Sequence, residues 1–170
     1  GISVGHPYHA SDSSKAILLH AFRDGHPMIL KVSSTKSVEH EADVIRDMIK
    51  VGGCDLSEKH LCCIEIIEFE SASIELTNES GSIDTPLTRR RKGLLIKQYQ
   101  TPLAQCTIPL TAVVLLRFGN QLKVAIAHMH KTGYCHLDIK PSNIFLFESD
   151  CFLGDYGAAT KIGEDITEIT

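Results

Sequence analysis

One string in the second half of the chain restricts the fold more than any other feature. Residues 134–146 read Tyr-Cys-His-Leu-Asp-Ile-Lys-Pro-Ser-Asn-Ile-Phe-Leu, and Asp155-Tyr156-Gly157 begins twelve residues after Asn143. Upstream, Val113, Leu116, Leu122, Ala125, Ile126 and Met129 recur at helical spacing. They predict a long helix from Pro109 to about His130, with Gly133 placed as a helix-ending glycine. Downstream, residues 144–147 and 151–153 are short apolar runs flanking Glu148-Ser149-Asp150, which predicts two strands. The polar residues of the string therefore lie on loops between a helix and a hairpin.

The first half alternates strand and helix signals. Residues 15–22 and 27–32 are apolar runs around Asp24-Gly25, a strong two-residue hairpin signal. Val38, Ala42, Ile45, Met48 and Ile49 predict a helix over 37–51 that the Gly52-Gly53 pair ends. Residues 61–69 predict a strand, as do residues 94–99, with a turn at Thr101-Pro102. Between those strands, residues 70–93 are rich in Ser, Thr, Glu and Gly and read as an inserted mobile loop. Its Arg89-Arg90-Arg91-Lys92 run reads as a solvated stretch of that loop, with a docking or localisation patch as the alternative. No internal repeat is visible.

Asp138, Lys140 and Asn143 stand at offsets 0, +2 and +5, and Asp155 precedes an aromatic residue and a Gly. Phosphoryl transfer from ATP needs such a set: a carboxylate to position the attacking hydroxyl, a cation on the γ-phosphate, and an Asn and a second Asp to hold Mg²⁺. In this order and spacing the residues resemble the catalytic and magnesium loops of eukaryotic-type protein kinases, H-R-D-x-K-x-x-N and D-F-G. The resemblance extends over about residues 11–170. It implies an α+β, two-lobe fold: residues 1–100 as a small, nucleotide-binding lobe of mainly antiparallel sheet with one helix, and residues 101–170 as the beginning of a mainly helical large lobe.

The resemblance also implies roles. Asp138 and Lys140 would be catalytic, and Asn143 and Asp155 would hold magnesium. Lys31 would contact the α- and β-phosphates of ATP and pair with a helix glutamate, Glu41 or alternatively Glu39. Gln98 and Gln100 fall in the hinge that would hold adenine, with Lys97 at the gate beside it. Ser11, Ser13 and Ala16 stand where the family has the three glycines of its phosphate-covering loop; Gly5 and the residues after it offer a differently shaped loop instead. Small side chains in place of glycine keep the backbone farther from phosphate and predict weaker nucleotide affinity. Leu137 replaces the Arg that in the family pairs with a phosphorylated loop residue, so Thr160, Thr167 and Thr170 are weak regulatory candidates. A Lys two residues after the Asp goes with Ser/Thr acceptors. The implied activity is protein serine/threonine phosphorylation with ATP and Mg²⁺; the rivals are a pseudokinase scaffold and a small-molecule phosphotransferase.

Composition is consistent with an intracellular protein of the cytoplasm or nucleus. The 170 residues carry 17 basic and 21 acidic side chains, a formal charge of −4 that predicts no general affinity for nucleic acid or anionic membrane. The six cysteines (54, 62, 63, 106, 135, 151) have neither C-x-x-C nor metal-ligand spacing and read as reduced thiols. No apolar run approaches membrane-spanning length.

Overall fold

A computed structural model describes residues 1–7, 16–52, 65–72, 88–98, 101–147 and 149–164. Ser11, Ser13, Gln100, Thr167, Thr170 and three of the cysteines (54, 62, 63) lie outside these residues.

The first element is a five-stranded antiparallel sheet in the order β1-β2-β3-β5-β4, formed by Ile2–Pro7, Ile17–Arg23, His26–Val32, Thr88–Lys97 (β5) and Glu65–Ala72 (β4). β2 and β3 pair without slippage from Ile17↔Val32 to Arg23↔His26. Asp24 (φ 50°) and Gly25 (φ 82°) are both left-handed, the conformation that lets a two-residue turn follow the strand twist. Gly5 lies within β1, so it is part of the sheet and not of the following loop. Ala16 sits at the bend that opens β2.

The segment predicted as a loop over 70–93 is strand at both ends. Residues 70–72 continue β4 and residues 88–93 open β5, in register from Glu65↔Leu95 to Ala72↔Thr88. Cross-strand pairing overrides composition here: Glu68 faces Lys92 across the ladder, and their opposite charges lie 3.7 Å apart. Residues 73–87 fall outside the described set, as do residues 61–64 of the predicted strand.

Helix α1, Thr35–Val51, is capped by the Ser34 hydroxyl, which accepts from the Ser37 N–H at 3.2 Å, and closes at Gly52, φ 60°. Its stripe of Val38, Ala42, Ile45 and Met48 packs with Leu94 of β5 and with Met129, Tyr134, Tyr156 and Ala159 from the second half. Helix α2, Ala112–Lys131, starts three residues later than Pro109 because the Thr111 hydroxyl caps it, accepting from the Val114 N–H at 3.3 Å. Of the predicted apolar positions, Leu122, Ala125, Ile126 and Met129 are packed, but the first two are not. Val113 and Leu116 are 76% and 71% exposed, whereas Val114, Phe118, Leu122, Ala125 and Ile126 pack on the hairpin of β8 (Ile144–Phe147) and β9 (Asp150–Leu153). Two apolar faces compete on this helix, and the hairpin covers only one.

Thr101-Pro102 forms a short strand, β6, paired with β8 through Thr101↔Leu146 and Pro102↔Phe145 rather than a free turn. Tyr134-Cys135 (β7) pairs with Thr160-Lys161 (β10). Tyr134, Tyr156 and Ala159 of these segments pack on α1.

Candidate active site

Lys31 projects from β3 opposite Leu94, on the face of the sheet that α1 covers. β3 ends at Val32 and α1 begins at Thr35, so ten residues suffice to bring Glu41 round. The Lys31 ammonium lies 2.7 Å from Glu41 Oε2 and 2.6 Å from Asp155 Oδ1. The other Glu41 oxygen accepts the Tyr156 backbone N–H at 3.2 Å. Glu39 instead pairs with Lys92 at 2.6 Å, a residue of the interior strand β5 rather than of a loop.

Burial is the largest influence on both partners, opposing charge in each. Two carboxylates outweigh it at Lys31, whose pKa is raised, so the ammonium persists at neutral pH. Burial raises the Glu41 carboxyl, which is only 3% exposed, while Lys31 and the Tyr156 N–H pull it down. A buried charge of this kind is stable only while every partner stays in place.

The second cluster surrounds Asp138. Lys140 Nζ lies 2.8 Å from Asp138 Oδ2, and the Asn143 amide nitrogen donates to Asp138 Oδ2 at 2.8 Å and to its carbonyl at 2.9 Å. Both atoms facing the amide can only accept, which fixes which end of Asn143 is nitrogen. The Lys140 hydrogen bond is the main reason Asp138 titrates below the usual carboxylate range.

His136 joins the two clusters. Its Nδ1 accepts the Asp138 N–H at 3.3 Å, which leaves Nε2 protonated and donating to the Gly154 carbonyl at 3.1 Å. Burial lowers its pKa and keeps the ring neutral. Leu137 and Asp155 adopt φ of 60° and 62°, left-handed conformations unusual for residues with a Cβ. They flank the His136–Gly154 bond, and Gly154 N–H also donates to the Asn143 carbonyl at 2.9 Å, so the strain is held from both sides. Gly154 is required sterically, since an added Cβ would stand 2.8 Å from the Phe145 ring.

Among the positions singled out from the sequence, Lys31, Glu41 and Asp155 are in direct contact, as are Asp138, Lys140 and Asn143. Lys97 is not beside Lys31. It pairs with Met28 and stands over the Phe147 ring at 4.8 Å, on the face opposite Lys31, because neighbouring strand residues alternate faces. Ile96 shares the Lys31 face. Gln98 is half-buried just beyond β5. His136, His40 and the Tyr156 N–H were not singled out from spacing: two of their partners are backbone carbonyls, which leave no pattern in a sequence.

As donors for a cation, the Asn143 amide oxygen and the partly exposed Asp155 carboxylate are both hard oxygens. Among the described residues no three His, Cys, Asp or Glu cluster as a metal cage. Magnesium suits that arrangement, since it keeps several waters and takes one or two carboxylates plus phosphate oxygens. Among the described residues no helix is long and apolar enough to cross a membrane.

No family profile matches the chain. It is similar to a Wee1-like protein kinase of Arabidopsis thaliana, 38% identical over 52 residues, or 31% of this chain and 10% of that protein. It is 33% identical over 57 residues to the serine/threonine-protein kinase mos of Xenopus laevis, 33% of this chain and 16% of that protein. The serine/threonine-protein kinase ArnS of Sulfolobus acidocaldarius matches at 37% over 68 residues, 30% of this chain and 11% of that protein. The chain thus matches between about a tenth and a sixth of the length of these relatives. The matched stretches and the motifs agree: over these residues the chain is similar to eukaryotic-type protein kinases.

Proposed function

We propose that the protein is an ATP-dependent serine/threonine protein kinase that transfers the γ-phosphate of Mg-ATP to hydroxyls of protein substrates. The observation that carries this reading is the contact of Lys31 with both Glu41 and Asp155, 2.7 and 2.6 Å away. It joins a sheet lysine, a helix glutamate and the loop aspartate in one contact. In the reaction the acceptor oxygen bonds to the γ-phosphorus, the bond to ADP breaks, and the hydroxyl proton passes to Asp138. Asp138 is held ionised by Lys140 and is a weak base, suited to orienting the hydroxyl and taking its proton late. Lys140 can swing from Asp138 to the γ-phosphate, and Lys31 would bind the α- and β-phosphates. Asn143 and Asp155 would hold magnesium, which when bound offsets phosphate charge. Gln98 and Gln100 belong to the hinge proposed to bind adenine; Ser11, Ser13 and Ala16 belong to the loop proposed to cover the phosphates. Residues 101–170 are proposed to begin a mainly helical large lobe.

The glycine-poor loop supports a second reading, a pseudokinase scaffold that binds nucleotide weakly. Calorimetric titration of the full-length protein with ATP, with and without magnesium, separates the two when combined with a transfer assay. Magnesium-dependent binding weaker than micromolar, with phosphate transferred to Ser/Thr, is the outcome expected for the kinase. Absence of magnesium-dependent binding and of transfer favours the scaffold.

A further inference from the structure

Helix α1 carries Glu41 to Lys31, and its rotation about its own axis decides whether the two meet. The apolar stripe and Glu41 face inward, but a second stripe is anchored separately. His40 Nε2 lies 2.7 Å from the Ala159 carbonyl, four residues past Asp155. Asp47 Oδ2 accepts the Tyr134 hydroxyl at 3.0 Å, two residues before His136. Seven residues separate His40 and Asp47, about two helical turns, so they lie on one face about 10 Å apart. Between them that face borders a polar cleft lined by Asp43, Arg46, Lys50, Lys161 and Glu164 in addition to the tie residues. On this side two discrete hydrogen bonds restrain rotation, in addition to the apolar packing of α1 on Tyr134 and Ala159 and the bond of His128 Nε2 to the Met48 carbonyl at 2.9 Å.

One tie ends on β7, which leads into the loop of Asp138, and the other on Ala159, immediately before β10. β10 follows Ala159 and pairs with β7, Lys161↔Tyr134, and Ile162 N–H donates to the Gly133 carbonyl at 2.8 Å. The two anchors thus form one rigid frame. We infer that His40 and Tyr134 are positioning residues: they set the rotation of α1 that brings Glu41 onto Lys31, in a chain whose Leu137 offers no cation to a phosphorylated loop. The inference deepens the kinase reading and rests on it. A carbonyl acceptor needs only an N–H at Nε2, so a side chain that keeps a donor at that place preserves the tie.

The test uses the full-length protein with His40→Leu, His40→Gln and Tyr134→Phe, dephosphorylated casein as acceptor, and hydrogen–deuterium exchange over residues 38–48. His40→Leu and Tyr134→Phe should each lower kcat about three- to ten-fold, the worth of one hydrogen bond, with KM for casein unchanged and exchange faster. His40→Gln should restore both readouts. Unchanged kcat in His40→Leu, or no restoration by Gln, overturns the inference. If the wild type does not phosphorylate casein, the kinase reading fails, and exchange alone judges the tie: unchanged exchange in His40→Leu overturns it, and faster exchange reversed by Gln supports it.

Discussion

At the scale of single residues, the two acidic side chains of the site carry different burdens. Asp155 touches Lys31 and Asp138 does not, so Asp155→Asn and Asp138→Asn should fail differently. Both should abolish detectable transfer, but only Asp155→Asn should weaken magnesium-dependent ATP binding in calorimetry; equal weakening would contradict the division of roles. Gly154 is a steric matter. Gly154→Ala places a methyl 2.8 Å from the Phe145 ring and should cost about 1–3 kcal/mol. Phe145→Leu in the same chain should return part of that loss, a coupling measurable by a double-mutant cycle in urea. His136 is a question of charge. Its folded pKa lies below 6.5 because of burial, so the folded state binds the proton less readily than the unfolded chain. Its contribution to stability is present above pH 6.5 and declines as pH falls through the lowered pKa. A ring-proton NMR titration in which His136 titrates below 6.5 would bear this out, and a pKa above 6.5 would refute it.

Caps and register decide the elements more than composition does. Thr111→Ala removes the hydroxyl that accepts the Val114 N–H and should cost about 1 kcal/mol in thermal unfolding, while Thr111→Ser should cost far less. The hairpin at Asp24-Gly25 and helix α1 were legible because the turn chemistry and the 3.6-residue period are local. The strand ends at residues 70–72 and 88–93 were not. Glu, Ser and Arg there gain their pairing from each other across the ladder, and no window along one strand contains the partner. The first turns of α2 were misread for a related reason: Val113 and Leu116 repeat as regularly as Leu122, Ala125 and Ile126, which the hairpin covers.

Over the whole molecule, the exposed side of α2 dominates behaviour in solution. Ile108, Val113, Leu115, Leu116 and Val124 are all large, apolar and exposed on or beside that helix. At about 25 cal/mol per Å² of apolar area, covering several of them yields several kcal/mol, enough to drive association. The 170-residue chain should self-associate in sedimentation velocity at tens of micromolar. Val113→Lys with Leu116→Glu should return it to monomer, with unfolding free energy changed by less than about 0.5 kcal/mol. A monomeric unsubstituted chain would contradict the expectation.

The sequence by itself determined the hairpin, helix α1, the long helix and the order of charged residues in the loops, because each is written in turn chemistry or in a short period. It also determined that Asp138, Lys140 and Asn143 would lie close together, since a five-residue loop cannot separate them. Only tertiary structure decided which glutamate meets Lys31, which face Lys97 occupies and what His40 and His136 hold. Those outcomes depend on strand alternation, on the rotation of a helix and on backbone carbonyls. None of them is a property of a residue type at a spacing, and all are fixed by the packing that brings distant segments together.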